Sequence, residues 1–253
     1  MSSSSFLIKE TFSSVKNSFS TAYCRDLSDT LWKARVKWIE NQAKKVPAGS
    51  KVLDVGAGSC SYKPFFKNCD YTAQDFAQTP DMTYGQIDVV SDIDDIPLKS
   101  ASFDVVLCSE VFEHIPHPEK ALKEIVRLMK PGGKLIFSAP LGSGQHQQPY
   151  HFYGGYTRFW YEKFFPENGL RITSLQPNGG LFGHIAEQLW RSHPIVMDYF
   201  RNRGFIGKTL GSWVQVFIYN LPTVFLWKFE KRKTIEDFTV CFFVTATKMK
   251  ESK

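Results

Sequence analysis

Gly56-Ala57-Gly58 follows the apolar run 52–55. A turn of this kind needs residues without Cβ, so that the backbone can reach unusual dihedral angles and a ligand can touch it. Ser61 stands where a dinucleotide G-x-G-x-x-G fingerprint has its third glycine, so pyrophosphate is disfavoured against a ligand without one. Asp75 ends the next strand-like run, about twenty residues on, where a carboxylate accepts hydrogen bonds from the two ribose hydroxyls of a nucleoside. Glu110, Glu113 and His114 stand at i, i+3 and i+4, so on a helix they would share one face and could ligate a divalent metal. His146 and His151 lie in the polar, aromatic segment 145–153, and imidazoles there could serve as catalytic bases near neutral pH.

The elements that must hold these residues alternate. KVLDVG (51–56), DYTAQD (70–75), FDVVLCS (103–109) and GKLIFSAP (133–140) are short apolar runs separated by helical stretches. Runs apolar on both faces are what buried parallel strands require, because crossover helices cover both sides of the sheet. Between Pro118 and Lys130 apolar residues recur at helical spacing, and Pro131-Gly132-Gly133 is expected to end that helix and turn the chain into the next strand. A helix over 156–167, a strand over 170–175 and a last strand over 238–247 complete the pattern, and residues 30–45 read as an amphipathic helix before it. The segment 145–153, directly after the strand 133–140, then falls at the carboxyl edge of the sheet, where α/β proteins bind ligands.

About sixty residues separate the last two strands, far more than a hairpin needs. This insertion, 178–237, is aromatic-rich and expected to be helical; its uncharged stretch 209–227 approaches the length of a membrane span but is interrupted by Gln215, Asn220 and Pro222. The expected organisation is a helical segment over 1–49, a core over 50–177, the insertion over 178–237 as a cap on the substrate, and a final strand and tail over 238–253.

With 253 residues, 43% hydrophobic and 15% aromatic, the chain has the apolar area for one sizeable core, which excludes general disorder. The 5 cysteines are scattered and never form a C-x-x-C pair, so neither a disulfide framework nor a cysteine zinc site is suggested, and a reducing cytoplasm fits. No secretory signal is expected at the amino terminus. The net charge of +6 is uneven: an acidic middle is flanked by basic segments, with one dense run at Lys228, Lys231, Arg232 and Lys233. That distribution disfavours nucleic acid and leaves an anionic substrate or the inner face of a membrane as alternatives to a solvated basic face.

The block 92–107, with Asp92-Ile93-Asp94-Asp95-Ile96-Pro97-Leu98 and Ser102-Phe103-Asp104-Val105-Val106, resembles the D-A-x-x-L-P-F…S-F-D-x-V pattern of the type 11 group of class I S-adenosylmethionine-dependent methyltransferases. Glu110–His114 and Leu128–Gly133 match that group's E-x-x-E-H and L-K-P-G-G signatures, in the same order. The resemblance covers about 50–177 and the last strand. It implies an α/β, Rossmann-like, doubly wound sheet of seven strands, the last antiparallel, with the helical insertion before it.

By the same resemblance the cofactor is S-adenosylmethionine. Gly56, Ala57 and Gly58 would pass beneath its methionine part, with Asp54 organising the turn. Asp75, followed by Phe76, would hold the ribose; Asp92 and the Ile93 backbone would meet the adenine; Cys108 and Ser109 would border the sulfonium. Similar E-x-x-E-H triplets bind a divalent ion in small-RNA terminal methyltransferases and in O-methyltransferases of ubiquinone synthesis, which would make His146 a fourth ligand. The implied activity is methyl transfer by in-line displacement to an oxygen, nitrogen or carbon nucleophile of a small-molecule, glycan or lipid-like acceptor. A non-catalytic binding module and a membrane-surface scaffold are the alternatives. The loop 145–157 resembles H-x-x-P-x-D-F-x-R-x-T of glycan and envelope enzymes, but His151 replaces its acid and Gly154-Gly155 its arginine.

Overall fold

The computed structural model describes residues 22–80, 82–220, 235 and 237–250. The basic run at 228–233 and the Ser-rich amino terminus lie outside them. The described residues form two compact units: one from Arg35–Asn178 and from Val240 onward, the other from those up to Ala34 and those within Gly179–Thr239.

The larger unit is built on a seven-stranded sheet of order β3-β2-β1-β4-β5-β7-β6. Its strands are β1 (Lys51–Val55), β2 (Asp70–Asp75), β3 (Val89–Val90), β4 (Phe103–Ser109), β5 (Met129–Pro140), β6 (Leu170–Asn178) and β7 (Cys241–Lys248). β7 runs antiparallel to both β5 and β6, while the other pairs are parallel, as the α/β alternation requires. Side chains alternate across the strands. Leu53, Val55, Val106, Cys108, Leu135 and Phe137 face one layer, with the helices α2 (Pro118–Leu128) and α3 (Arg158–Glu167) packed on it through Leu122, Ile125, Tyr161 and Phe165. Val52, Val105, Leu107 and Ile136 face the other layer and meet Ile39 and Ala43 of α1 (Ala22–Ala43) and Phe66. Covering both faces is what made these strands read as unbroken apolar runs.

One boundary differs from expectation. α2 stops at Leu128, and Met129 is already extended and paired with Phe103, so Pro131-Gly132-Gly133 lies inside an irregular start to β5 rather than between helix and strand. The smaller unit contains α4 (Leu181–Arg201), α5 (Gly204–Val214) and a π-helical turn, Gln215–Asn220. His193 Nε2 lies 2.7 Å from Gln215 Oε1, and Ser192 Oγ 3.1 Å from the Tyr219 hydroxyl, tying that turn back to α4. Among the described residues no helix is long and apolar enough to cross a membrane.

Candidate active site

β1 and β4 are neighbours, but the chain leaves β1 towards β2 and leaves β4 towards β5. The carboxyl ends of such a pair splay apart and leave a crevice. A cavity of about 340 Å³ occupies this edge, lined by Gly56 after β1, Gln74, Asp75 and Phe76 at the end of β2, Asp92 and Ile93 after β3, and Glu110, Val111 and His114 after β4. Tyr150, from the loop after β5, joins the wall and meets Phe76 edge-on, with centroids 5.3 Å apart.

The glycine turn is stitched to β2. Gly56 and Gly58 both take left-handed backbone angles, φ +69° and +53°. A Cβ on Gly56 would stand 2.5 Å from Val111 Cγ2, so both dihedral and space exclude a side chain there. The Gly58 N–H donates to Asp75 Oδ2 at 2.8 Å and the Ala77 N–H to Oδ1 at 2.9 Å. Each Asp75 oxygen keeps a second lone pair, and its carboxylate lines the cavity. Gln74 donates through Nε2 to the Ser91 carbonyl at 2.8 Å, while its buried Oε1 has no hydrogen-bond partner.

Several residues expected at the cofactor are not part of the cavity lining. Asp54 is buried and accepts a hydrogen bond from the Tyr71 hydroxyl; burial, with a smaller contribution from Asp75, pushes its carboxyl up to about 7 against the pull of that bond. Cys108 shares the side of β4 occupied by Val106, so its thiol is in the core and burial raises its pKa. Ser109 bonds Ser138 Oγ at 2.9 Å and the Tyr62 hydroxyl at 3.4 Å. Ala57 and Gly58 are buried, and of the three turn residues Gly56 alone lines the cavity.

The expected helical face of Glu110, Glu113 and His114 does not form. Glu110 has a left-handed φ of +56°, and a single 3₁₀ turn, Phe112–His114, follows. Glu110 turns to Arg35, whose Nη1 is 2.9 Å from its Oε2, and accepts from Ser138 Oγ at 2.9 Å. Glu113 and His114 instead gather with His146: one ligand atom from each lies within 4.8 Å of the others. The Glu113 Oε2 is buried without a partner, and burial, reinforced by Glu110, lifts its carboxyl to about 8. An unpartnered buried carboxylate beside two imidazoles fits a divalent ion.

His114 is the imidazole on the cavity wall. Its Nδ1 faces the Tyr150 carbonyl, which can only accept, so Nδ1 carries the hydrogen and Nε2 keeps its lone pair. Burial lowers its pKa, which keeps the ring neutral at pH 7. His146 and His151, the residues expected from sequence, stand against it with centroids at 4.7 and 5.6 Å and lie outside the cavity lining. Their own bonds run to the Gly144 carbonyl and to Ser143 Oγ, both at 2.9 Å. The loop carrying them is anchored to the 3₁₀ turn, since Phe152 and Tyr153 both donate to the Glu113 carbonyl. Gln74, Tyr71 and Arg35 carried no motif that pointed to them.

Residues 53–137 match a family described as a methyltransferase domain. This stretch spans β1 to the middle of β5, the strands whose carboxyl ends build the cavity at the switch point. Curated relatives include the ubiquinone biosynthesis O-methyltransferases of Pseudomonas putida (strain GB-1) and Pseudomonas syringae pv. tomato, each 33% identical over 119 residues, 41% of this chain and 49% of the relative. The chain thus spans about half the length of the curated relatives it matches. Among solved structures, the YcgJ protein from Bacillus subtilis superposes with a TM-score of 0.52 at 12% identity, covering 86% of this chain and 98% of that one. The [4+2]-cyclase SpnF gives 0.53 at 15% identity over 86% of this chain and 82% of its own. Likeness at this level shows the fold alone, and a cyclase among the neighbours illustrates why the chemistry has to be argued from the site.

Proposed function

We propose that this chain transfers a methyl group from S-adenosylmethionine to an oxygen nucleophile of a small acceptor. The observation that carries the reading is the charge of the cavity: Asp75, Asp92 and Asp94 line it, and its described lining contains no lysine or arginine. Such a wall suits a cationic nucleoside and repels a phosphate. Bound there, S-adenosylmethionine supplies a methyl carbon activated by positive sulfur. The free lone pairs of Asp75 are available to ribose hydroxyls, the Gln74 Oε1 accepts a further donor, and Phe76 and Ile93 wall the apolar part. His114 Nε2 is free to take a proton from an acceptor hydroxyl, which raises its nucleophilicity, while His146 and His151 hold the ring in place. An oxygen acceptor is favoured because the curated relatives are O-methyltransferases.

A second reading rests on the unpartnered Glu113 Oε2. A divalent ion held by Glu113, His114 and His146 would supply Lewis acidity to the acceptor oxygen. Glu110, paired with Arg35, is not in that set. The test is release of S-adenosylhomocysteine on incubation with S-adenosylmethionine and catechol, sugar and phospholipid acceptors. Acceptor-dependent release that His114→Ala lowers supports the proposal. Cofactor binding without release from any acceptor would make the chain a binding module.

A further inference from the structure

α5 is built inside out. Gly207 and Gly211 form its buried edge: a Cβ on Gly207 would stand 2.6 Å from the Phe200 carbonyl oxygen, and one on Gly211 2.8 Å from Phe200 Cβ. The helix therefore meets α4 through glycines. Its bulk points the other way, with Ile206, Leu210 and Trp213 at i, i+4 and i+7 exposed by 74%, 52% and 53%. Phe217, 55% exposed, stacks on Trp213 with centroids 5.5 Å apart, and α4 adds the exposed Ile195 and Tyr199. A helix covered by its own fold buries its large side chains and exposes its small or polar ones. Isolated exposed apolar residues are ordinary, but a stripe continued over a helix and its following turn marks an interaction surface.

Charge decides what that surface meets. From Tyr199 to Phe229 the sequence contains no aspartate or glutamate, and its charged residues are Arg201, Arg203, Lys208 and Lys228. The Arg203 guanidinium lies 4.0 Å over the Tyr199 ring, so a cation borders the apolar stripe directly. The acidic group beside the stripe, Asp198, is paired with Arg201 at 3.9 Å, which leaves Arg203 and Lys208 as a net cationic rim. An apolar, aromatic helical face with such a rim is the pattern of a helix lying in the headgroup region of an anionic membrane. We infer that the α4–α5 hairpin docks on an anionic lipid bilayer, with Trp213, Phe217, Ile206 and Leu210 entering the acyl boundary and Arg203 and Lys208 among the headgroups. The inference is independent of the methyltransferase reading.

The experiment is co-sedimentation of the full chain with sucrose-loaded vesicles of phosphatidylcholine, with and without phosphatidylglycerol. Binding is expected only with the anionic lipid and should weaken as salt is raised. The double variants Trp213→Ser/Phe217→Ser and Arg203→Glu/Lys208→Glu should each lower the vesicle partition by at least about tenfold. These side chains are exposed, so circular dichroism and melting temperature should stay as in the parent chain. Negligible or equal binding to both vesicle types would overturn the inference. So would lipid-independent self-association in sedimentation velocity that the Trp213→Ser/Phe217→Ser variant abolishes, since the stripe would then be a contact between copies.

Discussion

Arg35 Nη1 lies 2.9 Å from Glu110 Oε2, an ion pair that fastens α1 to the residue following β4, at the wall of the cavity. Glu110 holds a left-handed backbone angle there, and Ser138 Oγ satisfies its second oxygen. Arg35→Met removes the partner and leaves a carboxylate whose side chain is only 23% exposed. It should cost about 1–3 kcal/mol in urea unfolding, a figure at the lower end for broken pairs because both side chains keep some water contact. Glu110→Gln, which can still accept from Ser138, should cost less. An unfolding midpoint unchanged by Arg35→Met would show that the pair contributes nothing.

The buried Asp54 gives stability a direction with pH. Its carboxyl is raised from 3.8 to about 7 by burial, so the folded chain holds a proton that the unfolded chain has already lost between those values. The folded state binds more protons in that window, and stability therefore falls as pH rises from about 4 to 7, by at most about 1.4 kcal/mol per pH unit for this one group. Asp54→Asn keeps an acceptor for Tyr71 and removes the titration. Chemical denaturation at pH 5 and pH 7 should show a smaller difference in the variant than in the parent chain, and an identical difference would refute the assignment.

The ion reading separates the two glutamates. If Glu113, His114 and His146 hold a metal, EDTA should lower methyl transfer and manganese or zinc restore it, and Glu113→Gln should abolish that response. Glu110→Gln should keep it, because Glu110 is turned to Arg35. A chelator-insensitive enzyme leaves His114 as a base, in which case His114→Ala should lower kcat by about 10²- to 10⁴-fold with cofactor affinity intact.

Gly56→Ala tests the turn. The left-handed angle costs a Cβ-bearing residue about 1–2 kcal/mol, and Val111 would have to yield as well. Stability in thermal unfolding should fall by more than that amount, and S-adenosylhomocysteine affinity should fall because Gly56 is the turn residue exposed to the cavity. Parent-like affinity in the folded variant would place the ligand elsewhere.

Much of this was legible in the sequence, for stated reasons. β1 and β4 were recognisable because both their faces are covered, which leaves runs such as Val52–Val55 without polar interruption apart from Asp54. Gly56 and Asp75 announced themselves by residue type and spacing. Glu110, Glu113 and His114 misled because i, i+3, i+4 spacing presupposes an α-helix, and the chain takes a left-handed step at Glu110 instead. Cys108 was set among cofactor residues by analogy, but strand alternation turns its side chain into the core. Gln74 and Arg35 depend on contacts between distant segments, which spacing along the chain does not encode.

On the proposed function, the acidic cavity at the switch point binds S-adenosylmethionine. Isothermal titration of the parent chain and of Asp75→Asn with S-adenosylhomocysteine tests it most directly. The parent chain should bind, and the variant, whose amide can accept only one of the Gly58 and Ala77 N–H bonds, should bind about 10- to 100-fold more weakly through the loosened turn and the loss of charge-assisted bonds to the ribose, while remaining folded by circular dichroism. No binding by the folded parent chain, or equal affinity in the two, would contradict the account.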